Sequence, residues 1–333
     1  MILYMSEPGS VLRKKGGRYV IDLNEEKIAE VPAEKLEAVV LFSGAHITSP
    51  CMVSLFESGV PVTWLSSRGK FFGRVELTNY VNIERQREQF RRSEDGDFCL
   101  NLSKKIVKAK IRNSLVLLRR YNRNLELEAV DNIMGEIQKN LRGVESSSSI
   151  SGLLGVEGYT SRLYFQGISA MIREEFKFQG RTRQPPTDPF NSLLSFGYTL
   201  LMYEIYTAIV NRGLHPYIGF LHRLKRGHPA LASDLMEEWR ALLVDSLVLS
   251  QIQRGSISWE DFDVDFQEGG VYLRKDAARS FIRKFEERLR SENRYIPDTN
   301  PVSFREAIDH QVLTLVRSIE EADAEMYRPI LLR

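Results

Sequence analysis

KFFGRVELTNYVNIERQREQFRRSEDGDFCLNLSKKIVKAKIRNSLVLLRRY, residues 70–121, is where the chain changes its period. Before this stretch and into its start, apolar residues come in short β-branched or aromatic runs: ILYM (2–5), RYVIDL (18–23), AVVLF (38–42), VPVTWL (60–65) and KFFGRVEL (70–77). Turn-forming clusters such as EPGS, KKGG, FSGAH and SSRG separate them, so the runs read as strands, with one short helix at MVSLFESG (52–59). From about residue 85 the spacing turns helical. Leu102, Ile106, Ala109, Leu115 and Leu118 share one side of a long helix, leaving Lys104, Lys105, Lys108 and Arg112 on wetter faces. The pattern predicts an α+β protein: a small β-rich N-terminal domain over 1–83, then a larger all-helical domain over 84–333.

The helical part carries its own punctuation. Glu145 to Ser149, with four consecutive serines, reads as a loop between helices, and RTRQPPTDPF (181–190) excludes helix. NSLLSFGYTLLMYEIYTAIVNRG (191–213) is an apolar helix closed by Gly213. FREAIDHQVLTLVRSIEEADAEMYRPILLR (304–333) reads as an amphipathic helix with a basic, apolar tail, which either docks a partner or closes the domain.

Composition narrows the class. An apolar share of 43% and a charged share of 27% over 333 residues fit a globular chain with two ordinary domains. No run reaches the roughly 18 apolar residues of a membrane span. The first residues meet Ser6, Glu7 and Pro8 after only five positions, too few for a signal peptide, so the expectation is a cytoplasmic protein with no membrane partner. The two cysteines, Cys51 and Cys99, lie in apolar surroundings and read as buried, reduced thiols. A net charge of +2 names no partner, but Arg85 to Arg123 is locally basic. That run is either the footprint of a polyanion or a solvated helix face.

Two stretches carry potential chemistry. HRLKRGHPALASDLMEEWR (222–240) ends in a helix that the pattern starts near Ser233, with Leu235, Trp239, Leu242 and Leu243 on its apolar stripe. Asp234 and Glu237 then lie on another face, only ~60° apart at about 100° per residue. They can point at one object, or Ser233 can be an N-cap with Asp234, Glu237 and Glu238 complementing the helix dipole. In LLGVEGYTSRLYF (153–165), Glu157 falls where a new helix begins, beside Tyr159 and Arg162. With His222 these acids form a mixed oxygen and nitrogen set, which suits Mg²⁺ or Mn²⁺ better than a thiolate-bound metal.

GVEGYTSRLYF (155–165), PPTDPFNSLLSFGYTLLMYEI (185–205), GLHPYIGFLH (213–222) and ASDLMEEWR (232–240) together resemble the metal-dependent integrase of CRISPR spacer acquisition, the larger of the two core adaptation proteins. AKIRNSLVLLRR (109–120) is similar to that family's basic helix, and AVVLFSGAHITSPCMVSLFESGVPVTWLSSRGKFFG (38–73) to its β-rich domain. The resemblance implies that Glu157, His222 and Glu237 are catalytic metal ligands for Mg²⁺ or Mn²⁺, with Asp234 in the same acidic pocket. It also implies that Lys104, Lys105, Lys108, Lys110 and Arg112 neutralise DNA phosphates, and that Tyr159 and Arg162 meet a DNA end. Asn191 either supports the site or caps a helix. The chain departs from the family's pattern at RLKRGHPAL (223–231), with an extra His228, and at Trp239, where phenylalanine is commoner.

The implied activity is a DNA endonuclease and integrase that joins 3′-hydroxyl ends of a short fragment to a CRISPR repeat by transesterification. The implied partners are DNA, a second copy paired through the β-rich domains, and a small ferredoxin-like protein that bridges two such dimers into a larger hetero-oligomer. A stand-alone metal-dependent nuclease acting on branched DNA and a non-catalytic DNA-binding assembly protein are the rival readings.

Overall fold

A computed structural model describes residues 1–77, 81–267, 269–293 and 300–331. The chain forms two compact units, Met1–Val81 and Asn82–Arg333. The first holds two four-stranded sheets. One has the order β1 (Ile2–Met5), β5 (Ala38–Phe42), β7 (Val62–Leu65), β8 (Phe71–Val75), parallel except for the last pair. Its strand AVVLF is buried throughout, as expected where parallel neighbours cover both edges. The other sheet has the order β4 (Glu26–Pro32), β3 (Arg18–Leu23), β2 (Val11–Lys15), β6 (His46–Ile47). The strands β2, β4 and β6 were not legible as hydrophobic runs: VLRKK and EKIAEVP are too charged, and backbone pairing rather than apolar content makes them strands. Helix α1 (Ser49–Glu57) supplies Cys51 and Leu55 to a core shared with Leu12, Tyr19, Val39, Leu41 and Val62.

The second unit is built on α3 (Gly96–Asn122), which follows α2 (Ile83–Glu94). Asp95 caps α3 by accepting from the amides of Asp97 and Phe98 at 3.1 and 3.0 Å. Leu102, Ile106, Ala109, Leu115 and Leu118 are all buried, so the 3.6-residue stripe faces inward as read. Helices α4 (Glu128–Ser146) and α5 (Ile150–Met171) pack against α3 as a hairpin, with the serine loop between them.

The apolar helix α6 (Pro189–Asn211) is long and apolar enough to cross a membrane by length and composition. Here it is a core helix, with Phe190, Leu193, Leu194, Leu201, Ile205 and Ile209 fully buried. It stops where Gly213 takes φ 74°, a left-handed turn that side-chain-bearing residues resist. Helix α7 (Ala230–Met236) leads into a π-helical turn, Arg240–Asp245, and then α8 (Ser246–Gln253). The unit closes with α9 (Lys275–Leu289) and α10 (Phe304–Glu320). It is not all helical: β9 (Phe262–Asp265) and β10 (Gly270–Leu273) form an antiparallel hairpin, a departure that one buried residue in β9 and two in β10 left invisible to pattern reading.

A buried ion cluster ties three of these helices. Arg305 of α10 pairs with Glu204 of α6 and, at 2.8 Å, with Glu286 of α9. Burial opposes the charge on Arg305, but the two carboxylates hold its pKa above the ordinary guanidinium value. Removing the cation leaves two buried acids facing each other. Arg305→Met is therefore expected to lower unfolding free energy by about 3 kcal/mol, read from urea denaturation. An unchanged midpoint would show that the cluster adds nothing. Burial also pushes the thiols of Cys51 and Cys99 up to about 11. Both should react with a thiol reagent at pH 8 at least about 100-fold more slowly in native protein than in denaturant.

Candidate active site

Glu157 lies two turns into α5, not at its start. Ser149 caps the helix, accepting from the Gly152 amide at 3.2 Å, and the glycines around Glu157 are simply helical. The Glu157 carboxylate accepts from the Ser161 hydroxyl at 2.8 Å and pairs with Lys110.

Helix α7 likewise begins earlier than the pattern suggested, at Ala230 directly after Pro229. Ser233 is not its N-cap; its hydroxyl meets His228 Nε2 at 3.1 Å. Every residue from Ala230 to Met236 is buried, so the acids here are not first-turn carboxylates in water. Asp234, Glu237 and Glu238 are 0%, 5% and 0% exposed, and each solves its burial differently.

Asp234 uses hydrogen bonds. Its Oδ2 accepts from the amides of Phe220 and Leu221 at 2.6 and 3.0 Å, and its Oδ1 from the amide and Nδ1 of His222 at 2.9 and 2.7 Å. These four bonds fill the carboxylate's lone-pair positions, so Asp234 is spent as a ligand and instead orients the histidine. The loop it binds is fixed from behind by Gln89, which donates to the carbonyls of His215 and Ile218 at 2.9 and 2.7 Å, and by Ser103, which donates to Phe220.

Glu237 uses charge. Burial alone would raise its pKa, but Arg240 at 3.1 Å, Lys110 at 2.5 Å and His222 bring it down to about 2. Glu238 uses neither remedy in full. Burial raises its pKa to about 8, partly offset by the Tyr327 hydroxyl at 2.5 Å and the Ile330 amide at 2.7 Å.

His222 is set between these acids. Burial opposes its protonation, yet the bond to Asp234 and the nearby Glu237 leave its pKa raised. With Nδ1 on Asp234, its Nε2 is directed to the pocket, 4.0 Å from Glu237 Oε1. Glu157, His222 and Glu237 thus line one cleft. Among the described residues, no three His, Cys, Asp or Glu side chains stand close enough to enclose an ion unaided. The Lys110 ammonium lies between the two glutamates.

These groups lie in a cleft of 1210 Å³. Its wall also carries Arg162, Lys177, Arg181, Arg183, Lys225 and Arg240. Of these only Arg162 stood out in the sequence; the others sit in loops without periodicity or in a helix that looked apolar. Arg181 and Arg240 face the Tyr198 ring at 5.5 and 4.6 Å. Asp245, unmarked by any motif, accepts from Tyr164 and Tyr198 at 2.7 and 2.5 Å below them, and burial lifts its pKa to about 6. Asn191 is not an N-cap either: Asp188 caps α6, while Asn191 donates to the Gly180 carbonyl at 2.8 Å and accepts from Arg181 and from the Thr182 amide. It pins the loop that brings Arg181 to the cleft.

The basic helix behaves otherwise than its charge suggests. Lys104 donates to the Glu145 carbonyl at 3.0 Å, Lys105 pairs with Glu325 at 2.9 Å, Lys108 pairs with Glu145, and Lys110 faces Glu157 and Glu237. Arg112 is exposed. Tyr159 is 43% exposed, donates to Glu136 at 3.3 Å and has Arg162 over its ring at 5.1 Å.

The family profile described as CRISPR associated protein Cas1 matches residues 3–287. The chain belongs to the Cas1 family. The CRISPR-associated endonuclease Cas1 of Mycobacterium tuberculosis (strain ATCC 25618 / H37Rv) is 35% identical over 319 residues, covering 96% of this chain and 94% of the relative. Among solved structures, a chain of a Cas6-RT-Cas1–Cas2 complex superposes with a TM-score of 0.85 at 24% identity, covering 99% of this chain and 36% of that longer one. A casposase bound to integration product superposes with a TM-score of 0.83 at 23% identity, covering 97% and 91%. Both structures share the Cas1 fold seen here.

Gly219 tests the cradle that orients the histidine. A Cβ there would lie 2.6 Å from Asp234 Oδ2 and 2.9 Å from the Ala230 carbonyl carbon, too close without moving backbone. Gly219→Ala is expected to destabilise the protein by roughly 1–3 kcal/mol and to broaden the His222 ring signals in NMR spectra. A variant with native stability and an unmoved His222 resonance would show that the loop gives way freely.

Proposed function

We propose that the chain is a divalent-metal-dependent DNA endonuclease and integrase of CRISPR adaptation, using Mg²⁺ or Mn²⁺ to join 3′-hydroxyl ends of short DNA fragments to the CRISPR repeat. One observation carries this reading: two carboxylates, one from α5 and one from just after α7, face each other across a cation, beside an imidazole whose Nε2 points the same way, on a basic cleft. The endonuclease designation of the M. tuberculosis relative and the integration product held by the casposase support it.

The donor set fits the metal. Glu157 and Glu237 offer hard oxygens, His222 Nε2 one neutral nitrogen, and the Lys110 ammonium already marks the place between the acids as one that wants positive charge. When bound there, the ion supplies Lewis-acid stabilisation of charge developing on phosphoryl and attacking oxygens. The chain's own residues do the rest. Asp234 fixes the tautomer and aim of His222. Arg240 keeps Glu237 ionised. Lys177, Arg183, Lys225 and Arg162 hold phosphates along the cleft, and Tyr159 is placed for a DNA end. The exposed Arg112 extends the basic surface.

The reaction conserves bonds. The fragment's 3′-oxygen, losing its proton, forms a bond to the repeat phosphorus, and the bond to the repeat-strand 3′-oxygen breaks, that oxygen gaining a proton. In-line positioning is the chief contribution required of the cleft. Water in place of the hydroxyl gives cleavage. Two copies pair through the β-rich N-terminal unit, and a small ferredoxin-like partner bridges two such dimers; the Cas6-RT-Cas1–Cas2 complex is the support for such an assembly.

A strand-transfer assay tests the reading: purified protein with its small partner, a labelled fragment with 3′-hydroxyl ends, and a supercoiled repeat plasmid, in Mn²⁺ or EDTA. Label should join the plasmid only with metal. Glu157→Ala, His222→Ala and Glu237→Ala should fall to background, and Asp234→Asn should lose about 10–100-fold. Cleaved but unjoined plasmid would favour the stand-alone nuclease. Joining by all three ligand variants would end the assignment.

A further inference from the structure

Lys110 stands near the middle of α3, flanked by Ala109 and Ile111, each only 1% exposed. Its own side chain is 15% exposed, so it is held inside rather than spread on the surface. It reaches Glu157 of α5 and, at 2.5 Å, Glu237 Oε2 just after α7. Arg240 touches Glu237 as well, but through the other oxygen, Oε1, and its guanidinium is committed to the Tyr198 face at 4.6 Å. Lys110 is thus the cation that contacts both carboxylates.

We infer that Lys110 is an internal cation that competes with the divalent metal for the Glu157–Glu237 pair. The inference rests on the metal reading above and goes beyond it, since it gives a lysine first read as a phosphate contact the task of setting metal affinity. Two carboxylates held this close, one buried and one half-buried, repel with nothing between them, so an ion-free site needs a positive charge in the gap. One ammonium supplies a single charge on a flexible stem. A divalent ion neutralises both acids, and the two cations then repel, so Lys110 withdraws as the metal enters. Lys110 also lines the cleft, and a displaced ammonium on that wall meets the phosphate that the metal orients. Lys110 is therefore a positioning residue: it keeps the acids assembled without metal and makes metal entry depend on its own release.

Mn²⁺ titration followed by the electron paramagnetic resonance signal of free ion tests this without reference to activity. Lys110→Met keeps the stem and removes the charge. It should bind Mn²⁺ about tenfold tighter than wild type or better. Its Tm in EDTA should be lower than that of wild type, and the rise in Tm on adding Mn²⁺ larger. Lys110→Arg, which keeps the charge, should bind Mn²⁺ more weakly than Lys110→Met. Should the methionine variant not fold, Lys110→Gln takes its place. A double-mutant cycle of Lys110→Met and Glu157→Gln should show coupling in EDTA. Wild-type binding of Mn²⁺ with no tightening in the uncharged variants overturns the competition and leaves the metal reading intact. No Mn²⁺ binding by wild type or any variant overturns the metal reading, and the competition falls with it.

Discussion

Like charge brought together inside a protein is the constraint on which this structure turns. Glu157, in α5, and Glu237, just after α7, reach the same place by quite different routes, and their carboxylates share one cation. They stay there because α3 delivers Lys110 between them and the π-turn delivers Arg240 beside them. The long α3 helix, the α4–α5 hairpin and the α7 segment are thereby held in register by electrostatics as well as by apolar packing. A bulk apolar core would tolerate some sliding of these helices. A shared charge does not.

The neighbouring acids show how strongly local surroundings overrule residue type. Glu237 and Glu238 are adjacent, and helical rotation of about 100° sends them to opposite environments. The first meets three cations and ionises down to about 2; the second meets a tyrosine hydroxyl and a backbone amide and titrates near 8. Asp234, one turn earlier, is bound by three backbone amides and by the histidine it orients. Three carboxylates within five residues are thus buried by three mechanisms, and only one of them is left facing the cleft with a side chain available to an ion.

Much of this could be read from the chain. The strands ILYM, RYVIDL and AVVLF, the inward stripe of α3 and the α6 helix all follow from periodicity, because one buried face imposes its spacing on the residues that make it. The family resemblance brought Glu157, His222 and Glu237 forward together, and all three line one cleft. What escaped has physical reasons. Charged strands such as β4 are made by hydrogen bonds that leave no hydrophobic trace. The start of α7 was misplaced because Ser233 looks like a cap, whereas Pro229 sets the turn and the serine serves His228. Charge counting on α3 does not show that Lys104, Lys105 and Lys108 have acceptors in their own chain, because those partners are distant in sequence. The cations of the 177–183 loop, by contrast, line the cleft without belonging to any recognisable run.

The second carboxylate of the pair also has a consequence in time. Glu238 is sealed by Tyr327 and by the Ile330 amide, and Asn113 fastens that same tail by donating to the carbonyls of both Glu238 and Ile330 at 2.9 Å. Ile330 follows Glu238 by 92 residues. A nascent chain on the ribosome that has already released Glu157, His222 and Glu237 still has an unsealed acid beside its cleft until those later residues emerge. The order of synthesis thus places the sealing of Glu238 after nearly all of the helical unit has been made, and a chain cut short before Tyr327 carries Glu157, His222 and Glu237 without the buried network around the acid next to Glu237.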